Sequence, residues 1–376
     1  MWSYIVSCAD TTRPASALHP PIIPSPHTRM LIQDFFTASD GQTAKLYSLV
    51  NAHGFQVDVT DFGGVLVNLF TPDRDGKPTD VLLGFRNPAD FEANPPYFGQ
   101  LVGRLANRLA GAHFSLDGKD YQLECNDGGN RPNALHGVLC YGRRFWNATP
   151  LDDATLQLTL VSPDGDAGFP GTVAVTVVYH VTDDNSLDIQ YTATTDAPTV
   201  VNLTNHAYFN LNGRSSERCD HHTITSTAYA HTEVDENLIP TGRILPVDNS
   251  PFDLRAGRTF EDIYNDPRLP IAFDDNFIVA DQAGTLQRKV FTVASSQTGI
   301  TLEVDTDQPG VQLYMGYWLD GSCIGKAGKP YRSLASFCLE TQLWPDAPNH
   351  PDFPSARLNP GETYTHHTIY RFGVQK

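Results

Sequence analysis

The chain has 376 residues, with 26 Lys plus Arg against 43 Asp plus Glu and a formal net charge of −17. It is 40% apolar and only 18% charged, with 29 Gly and 27 Pro. These figures exclude wholesale disorder, argue against nucleic-acid or anionic-membrane partners, which select a Lys/Arg excess, and disfavour coiled coils and helical arrays.

Residues 1–29 stand apart. Thr11–Thr28 reads TTRPASALHPPIIPSPHT, too rich in Pro, Ser and Thr for a regular element, and is expected to be a disordered arm. No Lys or Arg precedes the short apolar piece Tyr4–Ala9, so a signal peptide is not expected and a cytoplasmic location is. Met30 is expected to be the true start, or the arm to be dispensable. No window approaches the roughly 18–20 unbroken apolar residues of a spanning helix.

From residue 30 onward the chain is a succession of short alternating runs. Predicted strands are Phe55–Val59, Thr155–Val161, Thr172–His180, Ser186–Ala193, His222–Ser226, Val290–Ala294, Gly299–Val304, Val311–Gly316, Leu334–Thr341 and Thr363–Phe372. Turn residues punctuate them at Asp73–Gly76, Asp117–Gly118, Asp164–Gly171, Asp183–Asn185, Asp320–Gly321 and Asn359–Gly361. Only Asn87–Glu92 and Phe260–Tyr264 read as short helices. Many short strands with regular turns predict an all-β, antiparallel sandwich or barrel. Length alone suggests about two domains, but an all-β unit can run past roughly 200 residues as one. With no linker or repeat after the arm, residues 30–376 are expected to form a single domain.

Six cysteines occur, at 8, 125, 140, 219, 323 and 338, with no C-x-x-C pair. Buried free thiols are expected. The pairs His221–His222 and His366–His367 point to opposite faces of strands and cannot readily converge on one metal, so surface or edge histidines are expected. No dinucleotide fingerprint, phosphate-binding loop, H-E-x-x-H or G-x-S-x-G occurs. Nothing in the sequence calls for a cofactor or a metal.

Four polar segments are less ordinary. Gly99–Ala110 places Arg104, Asn107 and Arg108 amid apolar residues, where an arginine must find partners or face a cavity. Two structural arginines closing a loop is the simpler reading of that segment taken alone. Asn133–Gly137 pins His136 between Leu and Gly, after the polar loop Asn126–Pro132. Val200–Gly213 reads as a strand with Asn202, Thr204, His206 and Tyr208 on one face, suited to a hydroxyl-rich ligand. Phe337–Asn349 sets Glu340 after an apolar run. Desolvation there raises a carboxyl pKa toward neutrality and makes a general base, although an edge-strand Glu would read the same.

Together these segments resemble the aldose 1-epimerase (galactose mutarotase) family. The resemblance runs from about residue 35 to residue 373. It rests on GRLANRLA at 103–110, LHG at 135–137, SPDGDAGFPGTV at 162–173 and TNHAYFNLNG at 204–213. It continues through IPTGRILPVDNSPFDLR at 239–255, FDDNF at 273–277, QPGVQLYMG at 308–316 and ETQLWPDAPNHPDFPSARLNPGETY at 340–364. The family fold is a large β-sandwich. The resemblance implies interconversion of the α and β anomers of an aldohexose such as galactose or glucose, with no cofactor, by a monomer or homodimer. It implies Glu340 as catalytic base and His206 as catalytic acid. It places His136, Asn107, Arg108, Tyr208, Asp274 and Gln312 around the sugar. Many members carry two Gly after the L-H-G His and a His after the D-x-N-F Asp. Here those positions are Gly137-Val138 and Asp275, which bears on loop shape and substrate preference. The competing readings are a hexose 6-phosphate epimerase, a glycosidase and a carbohydrate-binding protein without catalysis.

Overall fold

The strand Val173–Val181 shows how the sequence builds the larger part of the molecule. Val173, Val175, Val177, Tyr179 and Val181 are buried, and the residues between them reach toward solvent. Successive side chains on a strand point to opposite faces, and β-branched residues suit a half-buried pleated surface. Each fully buried Val contributes roughly 1.5–3 kcal/mol. The computed structural model describes residues 30–128, 131–139, 141–214, 218–269 and 271–375. The arm 1–29, with Cys8, and Cys140 lie outside them.

This strand belongs to a nine-stranded antiparallel sheet. Its spatial order is Asn147–Pro150, Thr155–Ser162, Val173–Val181, Ser186–Thr195, Tyr364–Val374, Ile300–Thr306, Gln287–Ser295, His222–Ser226 and Arg258–Thr259. A five-stranded meander runs in chain order from Leu31–Thr37 to Pro78–Asp80. A third sheet has the order Pro240–Pro246, Ala230–Val234, Asp274–Ile278, Gly310–Tyr314, Cys338–Gln342.

The third sheet positions the site. Every residue of Gly310–Tyr314 and Cys338–Gln342 is buried, so polar and apolar faces are both covered. Val311, Leu313 and Leu339 join the main core with Val175 and Ile189 of the nine-stranded sheet. The alternation that sends those side chains inward sends Gln312, Glu340 and Gln342 to the opposite face. The expected all-β sandwich is therefore what the chain forms.

All ten predicted strands overlap observed ones. The predicted start at Leu334 is four residues early, because Leu334 has a φ of +68° and ends any extended run there. Phe260–Tyr264 is one α-helical turn, and Thr259 caps it by accepting from the Asp262 amide. Pro88–Phe91 is a 3₁₀ turn capped by Asn87.

Two expectations need correction. The run Val200–Gly213 is not one strand. Its backbone pairs in turn with Arg357–Leu358, with Leu101–Val102 and, through Phe209, with Phe337. His206 and Tyr208 reach the cavity, whereas the Asn202 amide is spent on both backbone groups of Leu343. The paired histidines do point to opposite faces, but His222 and His366 are buried rather than surface residues. His222 is held between the Leu211 amide and the Cys219 carbonyl. Cys219 and Cys338 are free, buried thiols, Cys323 is buried, and Cys125 is free and exposed.

Candidate active site

The eight residues singled out from sequence all line one cavity of about 660 Å³. Three local pairings bring them together. Gln312 and Glu340 face each other on adjacent antiparallel strands, and Asp274 begins the next strand over, opposite Tyr314. The Gln312 amide donates to Asp274 Oδ1 at 2.9 Å. Leu101–Val102 pairs with Thr204–Asn205, which docks the arginine-rich segment against the His206 segment. Arg108–Leu109 pairs with Ala134–Leu135, which sets His136 beside Asn107.

The turn at His136 depends on glycine. Gly137 has a φ of +62°, and a Cβ there would lie 2.4 Å from the Gly103 carbonyl oxygen. Tyr97, Asn107, His136 and Val138 also adopt left-handed φ values of 54–66°. Such backbone is costly for non-glycine residues and clusters at functional sites. Val138, where the family often has glycine, is the most strained of them because its Cβ is branched.

At the centre, His206 Nε2 lies 3.7 Å from Glu340 Oε1, and both side chains are almost fully buried. The His206 ring is held between Tyr208, at 4.9 Å and 11°, and Tyr97, at 5.7 Å and 23°. His136 meets it edge-on at 5.1 Å. On the far side Arg108 sits between two carboxylates, 3.2 Å from Asp127 and 3.6 Å from Asp274. Asn107 reaches Gln342 at 3.5 Å.

Burial drives the central groups toward their neutral forms. It pushes the Glu340 carboxyl well above its ordinary range; the Asp274 charge adds to this and Arg108 opposes it. Burial lowers His206 to about 3, partly offset by a hydrogen bond with its own backbone. Burial and then the charges of His206 and Arg108 hold His136 well below its ordinary value. Burial works against the Arg108 charge too, but Asp274 and Asp127 outweigh it and raise its pKa. Asp275, the departure from the family pattern, is pushed up to about 7 by burial and by Asp274. Burial thus disfavours a charge on either member of the central pair.

His136, His206 and Glu340 each offer one ligand atom, all within 4.8 Å of one another. Metal–ligand bonds of about 2.0–2.2 Å place neighbouring donors only about 3–3.5 Å apart, so an ion would have to draw this trio inward.

The two arginines of the GRLANR segment divide. Arg108 faces the cavity. Arg104 is fully buried and structural, donating to the carbonyls of Pro170 at 2.6 Å and Gly171 at 2.9 Å and to Ser162 Oγ at 2.8 Å. Sequence reasoning missed Tyr97, Asp127, Tyr314 and the rim pair Arg131 and Trp318, which all line the cavity. The polar loop Asn126–Pro132 pointed toward Asp127 and Arg131. Tyr97 and Trp318 carried no signal, because nothing in their local sequence ties them to the catalytic segments.

A sequence profile described as aldose 1-epimerase matches residues 45–371. Galactose mutarotase from Homo sapiens is 40% identical over 342 residues, covering 89% of this chain and 96% of that protein. Aldose 1-epimerase from Escherichia coli (strain K12) is 34% identical, covering 89% and 97%. A crystal structure of an aldose epimerase homologue from C. elegans superposes with a TM-score of 0.82 at 31% identity, covering 89% of this chain and all of that one. With its motifs gathered in one cavity and these relatives matched over most of their length, the chain belongs to the aldose 1-epimerase family.

Proposed function

We propose that Glu340 and His206 carry out the interconversion of aldose anomers that makes this protein an isomerase. The observation that carries the reading is the buried contact of 3.7 Å between the His206 imidazole and the Glu340 carboxyl. With one proton held between them, the two groups supply one acid and one base. Hydroxyl groups of a bound sugar hydrogen-bond the carboxylate, and such bonds favour its charged form. The proton then passes to His206, leaving Glu340 as base and His206 as acid.

Ring opening follows with atoms balanced. Glu340 removes the proton from the O1 hydroxyl, and the O1 electron pair forms the C1=O1 bond. The C1–O5 bond breaks, and its electrons on O5 take the proton from His206. Rotation by half a turn about C1–C2 presents the other face of the aldehyde. Closure runs the same transfers backward and yields the opposite anomer. Each proton transfer contributes typically ~10²–10⁴-fold. The pair regains its starting state, so no net proton is consumed.

The remaining residues hold the sugar. Arg108 and His136 stabilise charge developing on oxygen. Asn107, Asp274 and Gln312 orient hydroxyls, and Tyr208 with Tyr97 fixes the His206 ring. The substrate is a neutral aldohexose of the galactose or glucose type. The two arginines of the cavity, Arg108 and Arg131, are both paired to Asp127, which favours a neutral sugar over a hexose phosphate. Among the described residues no helix is long and apolar enough to cross a membrane, and the enzyme is proposed to act in the cytoplasm as a monomer or homodimer. Polarimetry on fresh α-galactose, α-glucose, α-xylose and α-glucose 6-phosphate tests the substrate. Catalysis is expected for galactose and glucose; a rate confined to the phosphate ester would overturn the neutral-sugar reading.

A further inference from the structure

The last strand, Tyr364–Val374, crosses beneath both catalytic segments. Tyr364, His366, Thr368 and Tyr370 alternate onto one face of it. None of them lines the cavity. Their polar atoms nevertheless converge on the backbone that carries the acid and the base.

On the acid side the target is Leu203, three residues before His206. Its amide donates to the Tyr364 hydroxyl at 3.0 Å, and its carbonyl lies 3.0 Å from His366 Nδ1. On the base side the targets flank Glu340. The Tyr370 hydroxyl donates to the Leu339 carbonyl at 2.7 Å. Thr341 Oγ1 lies 2.9 Å from His366 Nε2 and 2.5 Å from Thr368 Oγ1. A carbonyl can only accept, so His366 Nδ1 carries the proton and Nε2 accepts from a threonine hydroxyl. The ring also stacks on Tyr191 at 4.5 Å and 19°. One imidazole therefore bridges the acid segment and the base segment from the side away from substrate.

We propose that His366 is a positioning residue for the reaction, setting the separation of His206 and Glu340 by bonding Leu203 and Thr341 at once, with Tyr364 and Tyr370 securing the adjoining peptide groups. This rests on the acid–base reading of the pair above. The physical reason is that each catalytic segment is irregular or short on its own. Thr204–Asn205 is a two-residue strand, and the base strand Cys338–Gln342 lies at the edge of its sheet. A misplacement on the order of 1 Å far from the chemistry can cost about 10²-fold in rate.

The test uses the full chain with His366→Phe, His366→Asn, His366→Gln and Tyr370→Phe. Readouts are kcat and KM by polarimetry, the pH–rate profile and Tm. His366→Phe is expected to lower kcat by ~10–100-fold with KM changed less than about two-fold, and to move the limbs of the pH–rate profile. Asn can restore the bond to Leu203 and Gln the bond to Thr341, so each is expected to recover part of kcat. Tyr370→Phe keeps the ring and carries the test if His366→Phe does not fold. A folded His366→Phe or Tyr370→Phe enzyme with the wild-type kcat and pH profile would overturn the proposal. So would a loss that merely follows the unfolded fraction. Glu340→Gln, measured alongside, separates the two readings. Full activity there removes the pair itself, whereas an inactive Glu340→Gln beside unaltered His366 variants removes only the positioning role.

Discussion

The backbone amide of Asn107 donates to Nδ1 of His136 at 3.3 Å, while the His136 amide donates back to the Asn107 carbonyl at 3.0 Å. An amide can only donate, so Nδ1 of His136 is unprotonated and Nε2 carries the hydrogen. Burial and the nearby charges of His206 and Arg108 keep that ring neutral. In the proposed mechanism His136 therefore donates to the sugar through Nε2 and is not a second acid. His136→Gln, which keeps a donor, is expected to lose less activity than His136→Ala, for which a drop of about 10²-fold matches the loss of one oxyanion donor. Nitrogen chemical shifts of His136 are expected to show the Nε2–H tautomer at neutral pH; a protonated Nδ1 would contradict the assignment.

Glu340→Gln and His206→Asn are each expected to remove most mutarotation, by ~10²–10⁴-fold, while leaving the fold intact. Polarimetry beside circular dichroism checks both halves of that statement. Rates near wild type in either folded variant would sink the acid–base pair.

The pair also predicts the shape of the pH–rate profile. It is competent while it holds one proton. A second proton arrives only near the depressed value of His206, about 3, and the single proton leaves only above the raised value of Glu340. The acid limb of kcat/KM is expected to lie well below the ordinary imidazole value of 6.5. An inflection there that disappears in His206→Asn would show that His206 titrates as an ordinary imidazole.

Stability carries its own pH dependence. Burial lowers both His222 and His366 from 6.5 to about 4. The unfolded chain then binds protons between those values that the folded chain refuses. Their contribution to stability is fully present above 6.5 and is lost as pH falls toward 4, by about 3 kcal/mol for each histidine at the limit. Thermal melts from neutral pH downward are expected to show this slope. His222→Gln is expected to be less stable at neutral pH, yet to lose stability less steeply on acidification. An unchanged slope would exclude His222 as a source.

The two arginines of the GRLANR segment separate function from structure. Arg108→Ala leaves Asp274 without its cation and Asp127 with Arg131 alone, so it should lower kcat/KM and cost about 3–5 kcal/mol of stability. Arg104→Lys keeps a charge but loses the planar fork that reaches the Pro170 and Gly171 carbonyls and Ser162 together. It should lower Tm while kcat and KM of the folded enzyme stay near wild type. A kinetic effect of Arg104→Lys equal to that of Arg108→Ala would contradict this division.

Local pattern located ten strands but passed over others such as Thr43–Val50 and Leu66–Pro72. Alternation and turn residues found Val173–Val181 and Ser186–Thr195 within a residue or two, because each of these strands buries one face and exposes the other. The Glu340 environment was legible in the same way, as a carboxylate behind an apolar run. The limit appears at Val200–Gly213, where the chain changes partners every few residues. No periodicity could assign Asn202 to Leu343 while sending His206 to the cavity.

What the sequence determined by itself was the all-β class, the turns, and, through its motifs, the eight residues of one site. Those properties are local or carried by short strings of residue types. Only the tertiary structure placed Arg104 in the core away from the cavity, set Tyr97 against the His206 ring, and buried His366 between Leu203 and Thr341. Each of these depends on groups tens to hundreds of residues apart in the chain. Partner choice at such separations is set by how the sheets pack on one another, and alternation along a single strand does not encode it.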